Sequence, residues 1–142
     1  MPALLLAAAL LIGPSTPEAC VRAENTPEMN ACYSALATAE TERMQAYLAV
    51  AVDRVTAQAG TVADELQADQ KAWEGYADLA CGTVYSHWRT GTIRTVRALS
   101  CRRDLTRERS RHLWREYIDH VDRTPAPLPE PVDYAARTPT EN

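Results

Sequence analysis

Four cysteines, Cys20, Cys32, Cys81 and Cys101, are the groups in this chain best suited to covalent or metal chemistry. A structural zinc site draws its ligands from pairs a few residues apart, as in C-x-x-C. Here the successive gaps are 12, 49 and 20 residues, and there is no C-x-x-C-H haem signature. An even number of widely spaced cysteines in a small chain points instead to two disulfides, provided the protein meets an oxidising compartment. Spacing alone leaves all three pairings open.

Other chemistry is thinly represented. A nucleophile needs a base within reach and a group to orient that base. Ser86 and His87 are chain neighbours, which rarely face one another, and no G-x-S-x-G elbow is present. His112 and His120 lie eight residues apart, too far along one helix to share a metal by themselves. Glu40 with Glu42, and Asp64 with Glu65, read as solvated helix faces rather than as acid and base. There is no Gly-rich phosphate loop. The expectation is a protein without enzymatic activity, cofactor or metal. Binding is what remains, and the segment best composed for it is CGTVYSHWRTG, residues 81–91. It reads as a turn-rich loop displaying Tyr85, His87, Trp88 and Arg89, the residue types that dominate protein-binding hot spots. A Cys81–Cys101 bond would close the loop and lower its ordering cost on binding. The competing reading folds Trp88 back onto the body of the protein.

Helices must position these groups. Thr26, Pro27 and Glu28 supply a cap, a first-turn proline and a first-turn acid. Tyr33, Leu36, Ala37, Met44, Tyr47, Leu48, Ala51 and Val55 then recur at three- and four-residue steps as one apolar stripe. Gly60 is expected to end this helix, and Thr61 with Asp64 to cap the next. The second helix aligns Ala63, Leu66, Gln70, Trp73, Ala77 and Cys81, with Trp73 as the expected largest core residue. Thr92 is expected to cap a third helix running to about Arg123, with Val96, Leu99, Thr106, Ser110, Leu113, Tyr117 and Val121 on one face. No period-2 alternation supports a strand. The predicted fold is all-α: an antiparallel three-helix bundle, up-down-up, with two disulfides and an extended Pro-rich C-terminal tail. An up-down hairpin also places Cys32 and Cys81 towards one pole.

Three segments follow. Residues 1–19 form a hydrophobic N-terminal segment in which Leu4–Ile12 is an unbroken apolar run followed by Gly13-Pro14. Such a run is too short for a bilayer, which needs about 20 residues, and fits the core of a signal peptide. It has no preceding Lys or Arg, and a buried first helix is the alternative. Cleavage could follow Ser15 or Ala19. Residues 20–123 form the helical domain, and 124–142, with five of the nine prolines, are expected to be a disordered tail. Net charge is −4, unevenly spread: residues 18–78 hold eleven acids against four bases, and 89–115 hold nine Arg against two acids. The arginines are expected to pair across a helix seam with their stems on apolar surface. An Arg stripe for nucleic acid is the disfavoured alternative.

The chain resembles the lysozyme inhibitor LprI-type domain, a small exported bacterial domain. The resemblance is carried by Cys20, the run T-P-E-M-N-A-C ending at Cys32, and Leu66, Gln70, Trp73, Tyr76 and Cys81 in one helix. Gly91-Thr92-Ile93, Cys101 and the set Leu105, Thr106, Arg109 and Leu113 complete it, so residues 20 to about 118 are covered. Arg43-Met44 stands where the family usually has Leu-Asn, and Ala77 where an Arg is common. The resemblance implies a helical, disulfide-bonded, periplasmic or secreted protein that inhibits lysozyme by protein–protein binding. It implies a scaffold including Leu66, Gln70, Trp73, Tyr76 and Leu113, and the pairing Cys20–Cys32 with Cys81–Cys101. The partner is then lysozyme or another cell-envelope protein, with no nucleic acid and no membrane span once the signal is removed. The alternative is a non-catalytic structural or adaptor protein of the envelope. An acidic hairpin would speed encounter with a cationic lysozyme.

Overall fold

The first long helix starts where the Asn25 side chain accepts one of its free amides. In the computed structural model, which describes residues 17–119 and 125–131, Asn25 caps helix α1 (Thr26–Gln58). Its Oδ1 accepts the Glu28 N–H at 2.9 Å, while the Glu28 carboxylate accepts the Glu24 N–H at 2.9 Å and the Asn25 side-chain amide at 2.7 Å. Thr26, expected to be the cap, is already the first helical residue. A 3₁₀ helix, Pro17–Arg22, precedes α1 and packs against it. The run Leu4–Ile12, His120, Val121, Arg123 and residues 132–142 lie outside the described residues.

The turn into α2 (Gly60–His87) is a single residue. Ala59, extended at φ −158° and ψ 102°, gives its N–H to Val55 O at 2.8 Å and accepts the Val62 N–H at 3.0 Å. Gly60 therefore does not stop α1 but opens α2, and Thr61 does not cap it. An extended residue can reverse the chain without glycine's freedom, so neither signal is used. At the other end α2 passes through Cys81 and Gly82 and stops only at His87. The segment 81–91 is thus largely helical rather than a loop. Val84 continues the inward phase of Ala77 and Cys81 as a half-buried residue, and this burial outweighs the roughly 1 kcal/mol that Gly82 costs a helix interior. Helix α3 (Arg94–Leu113) begins after Ile93 with no side-chain cap, so Thr92 does not cap it either. It ends in a π turn, Trp114–Ile118, closed by Asp119 N–H on Trp114 O at 2.8 Å. The extra residue in that turn puts Ile118 fully in the core and leaves Tyr117 half-buried.

These three helices form the all-α bundle expected, with no strand among the described residues. Gln70 Nε2 reaches Met44 Sδ at 3.5 Å, Arg109 reaches Gln70, and Arg54 reaches the Ile118 carbonyl at 2.9 Å. α1 and α3 thus run parallel to one another and antiparallel to α2. The two ends differ in kind. Near the α1–α2 turn the core is Met44, Tyr47, Ala51, Val55, Ala63, Leu66, Leu113 and Ile118. Towards the other end Leu36, Ala37, Ala77, Cys81 and Val96 are buried, mostly small side chains that bring little apolar area. That end is cross-linked instead: Cys20 to Cys32 and Cys81 to Cys101, with Cα atoms 5.7 and 5.6 Å apart. No described cysteine is free.

Two scaffold expectations change. Leu66, Gln70 and Leu113 are buried, but Tyr76 is 58% exposed. It precedes the buried Ala77 by one residue, about 100° round the helix, and faces outward. Trp73 packs against the core only in part, and the guanidinium carbons of Arg102 and Arg109 each sit 5.8 Å from its ring centroid. It lines the α2–α3 seam and is not the centre of the core.

Residues 125–131, part of the stretch expected to be disordered, are irregular, with a bend at 127–128, and docked. Tyr47 Oη donates to Pro129 O at 2.6 Å, Trp114 Nε1 donates to Leu128 O at 3.0 Å, Ala126 and Leu128 pack on the core, and Pro131 is buried. The prolines of this segment carry no amide donor and restrict its backbone, so two aromatic donors can grip the Leu128 and Pro129 carbonyls at low entropic cost. Burial pushes the Tyr47 hydroxyl above its ordinary pKa of 10.0, partly opposed by the nearby Arg43.

Candidate protein-binding surface

The arginine-rich third helix is committed in large part to the seam. Arg109, buried, donates from Nε to Gln70 Oε1 at 2.9 Å and from Nη2 to Asp69 Oδ2 at 2.6 Å. Arg102 pairs with Asp78, and Arg107 lies 3.9 Å from Glu40. Glu40 corrects its expected place on a solvated face: it is 7% exposed and also pairs with Arg43 at 2.7 Å. Its position was legible, since 36, 37, 40, 44 and 47 are one helical phase; only its charge argued against burial. Glu42, Asp64 and Glu65 are exposed as expected.

The pole carrying the Cys81–Cys101 bond presents Arg89, Arg94 and Arg97. Tyr85 and His87 stand on the last turn of α2, and Trp88, Arg89 and Ile93 on the turn into α3. Tyr85, Trp88 and Ile93 are 38, 40 and 43% exposed. Trp88 therefore neither folds fully back nor projects freely: Arg97 lies over its ring at 5.2 Å and His87 meets its edge at 6.2 Å. Arg94 covers the Tyr85 ring at 4.6 Å and donates to the Arg89 carbonyl at 2.7 Å. A second hydrogen bond, Gly91 N–H to Trp88 O at 2.9 Å, tightens the turn. Arg89 has φ +45°, the one non-glycine residue of positive φ among those described. Tyr85, His87, Trp88 and Arg89 are thus brought to one end of the bundle on a braced scaffold. Arg94 and Arg97, not singled out from sequence, belong with them, as does Ile93.

Behind the turn lies an apolar groove of about 400 Å³ between α2 and α3, lined by Cys81, Gly82, Tyr85, Ala98, Leu99 and, at its edge, the Asp78–Arg102 pair. Among the described residues no group of three or more His, Cys, Asp or Glu side chains could hold a metal ion, and no helix is long and apolar enough to cross a membrane. Ser86 and His87 are both exposed, and His112 meets Tyr117 edge-on at 6.3 Å. What the arrangement can do is bind: rigid aromatic faces, guanidinium donors and an apolar recess share one surface.

The model of a family described as Lysozyme inhibitor LprI matches residues 18–113. No curated protein and no solved structure matches the chain.

Proposed function

The chain belongs to the LprI lysozyme inhibitor family, and from that premise we propose that it is an exported, non-catalytic protein that inhibits lysozyme by binding it. The observation that carries this reading beyond the family is the pole at 85–97, where exposed aromatic and Arg side chains are held on a disulfide-closed, hydrogen-bonded turn. Preorganisation of this kind reduces the ordering cost that association must overcome. The acidic exposed surface of α1 and α2, with Glu42, Asp53, Asp64, Glu65 and Glu74, favours fast encounter with a cationic partner. Two disulfides in a small protein fit a periplasmic or secreted location. The test is a titration of lysozyme turnover with purified, oxidised protein. Stoichiometric loss of activity supports the reading, and undiminished turnover at micromolar excess rejects it.

An envelope adaptor is the second reading, favoured by Tyr76 and Leu79, 58 and 74% exposed on the outer face of α2. Capture of an envelope protein that is lost in a Tyr76→Ser, Leu79→Ser double variant would support it over inhibition.

A further inference from the structure

The turn at 88–93 is unlike the rest of the surface in three respects. The first is strain. A non-glycine residue at φ +45° crowds its Cβ against the backbone and is kept only where the surroundings enforce it. At this exposed position glycine would adopt the same backbone freely, so what arginine contributes there is its side chain. The second is charge. Arg89, Arg94 and Arg97 cluster within one turn and the start of α3, and among the described residues none is paired with a carboxylate. Asp78, the acid of the adjoining groove, is held by Arg102. The third is the company of aromatic rings: Trp88 and Tyr85 are stacked by Arg97 and Arg94, and a stacked guanidinium keeps its in-plane N–H groups for hydrogen bonds, one of which Arg94 gives to the Arg89 carbonyl.

Acidic groups lie beside this basic tip, with Arg22 among them. Met44 and Gln70 are in contact across α1 and α2, so residues equally far along each helix from that contact, Asn30 and Val84, lie level. The first turn of α1 and the residues just before it, with Glu28 and Glu24 both exposed, therefore flank the turn. A cationic protein as a whole is attracted to the shoulder and repelled by the tip, unless the tip meets a recess of opposite sign.

We propose that the Trp88–Ile93 turn, led by Arg89 and Trp88, enters the catalytic cleft of the lysozyme and sets its guanidinium groups against the paired carboxylates there, while the acidic shoulder meets the cationic rim. This rests on the inhibitor reading and specifies its site. The chemistry is general: a glycoside hydrolase keeps two carboxyl groups flanking the scissile bond in an open cleft shaped for sugar rings. A flat aromatic side chain can enter such a cleft, and an arginine fork pairs with a carboxylate through two parallel hydrogen bonds. Bringing a cation against them there also opposes protonation of the acid catalyst, so occupation and electrostatics act in the same direction.

The test measures binding of the full oxidised protein to a cationic lysozyme by calorimetry, with and without saturating triacetylchitotriose in the cleft, alongside inhibition of turnover. Arg89→Glu is expected to weaken binding by about 30-fold or more, the scale of a hot-spot residue. Arg89→Gly, whose backbone suits the turn, is expected to weaken it by a smaller factor and guards against misfolding as the cause. Arg115→Glu, an equal change of net charge on an exposed residue of the π turn beyond the far end of α3, is expected to leave binding within about 3-fold, because surface charges beyond a Debye length of ~8 Å are screened. The sugar is expected to compete. If the protein inhibits but the sugar does not compete, or Arg89→Glu binds as well as the wild type, the cleft assignment is overturned while inhibition stands. If the wild type neither binds nor inhibits, both are overturned.

Discussion

Replacing Cys81 and Cys101 together by alanine is expected to destabilise the bundle far more than the same replacement of Cys20 and Cys32. Ring size does not separate the two bonds. A sequence separation of 20 corresponds to about 3.3 kcal/mol of lost unfolded-chain entropy at 25 °C, and one of 12 to about 2.9 kcal/mol. The native contacts do separate them. Cys81–Cys101 joins α2 to α3 where the surrounding buried side chains are mostly small, so the helices cannot part without unfolding that end. Cys20–Cys32 holds only Pro17–Arg22, which packs on α1 alone. Once cut, that segment can detach while the three helices stay together, and the native state regains much of the freedom that the unfolded chain gains. The expected losses are therefore about 3 kcal/mol and under about 1 kcal/mol. Urea unfolding followed by far-UV circular dichroism measures both. With a slope of about 1.5 kcal/mol per molar, the Cys81/Cys101 midpoint falls by about 2 M and the Cys20/Cys32 midpoint by less than about 0.7 M. Equal shifts, or a larger one for Cys20/Cys32, would refute the idea that one bond braces the bundle and the other a single segment.

Three further outcomes can be measured. Tyr47→Phe removes the hydrogen bond to Pro129 O and is expected to cost about 1 kcal/mol at neutral pH, read from thermal unfolding. Because burial raises the Tyr47 pKa in the folded state, its contribution is complete below its ordinary value of 10.0 and fades as pH rises from there through the folded value. The stability gap between wild type and Tyr47→Phe should therefore narrow above pH 10.0; a gap that widens would contradict the sign. Arg109→Ala uncovers Trp73 and leaves the buried Gln70 Oε1 without its donor, for an expected loss of about 2–4 kcal/mol. Arg109→Met, which keeps the apolar stem volume, should lose about half as much in the same melt, since the half-exposed Asp69 contributes little as an ion pair. Arg89→Gly relieves the left-handed backbone and is expected to raise stability by up to about 1 kcal/mol while weakening lysozyme binding, an opposition that paired melting and binding measurements detect.

Periodicity carried the fold: the stripe from Leu36 to Val55 and the face from Ala63 to Cys81 are the buried faces observed. It carried less at the ends. The cap fell on Asn25 rather than Thr26, the α1–α2 turn used Ala59 rather than Gly60, and α2 ran on to His87. The Asn25–Glu28 hydrogen bonds fix the first, and the half-buried Val84 carries the last. The charge of Glu40 points to solvent while its helical phase puts it inside, and the helical phase of Tyr76 turns it outward despite its place in the family pattern. Of the candidate site, Tyr85, His87, Trp88 and Arg89 were visible as a composition; the bracing by Arg94 and Arg97 was not, since it joins two helices across a turn.

The sequence by itself determined the helical class, the inward faces, an acidic half followed by an arginine-rich half, and a supply of cysteines for two cross-links, because each is a property of residue type and short-range spacing. Only the tertiary structure decided which arginines are consumed in the seam and which remain at the pole. It also decided that residues 125–131 dock between Tyr47 and Trp114, and that a π turn hands the last core position to Ile118. Those outcomes depend on partners tens of residues away, whose proximity exists only once the helices have packed.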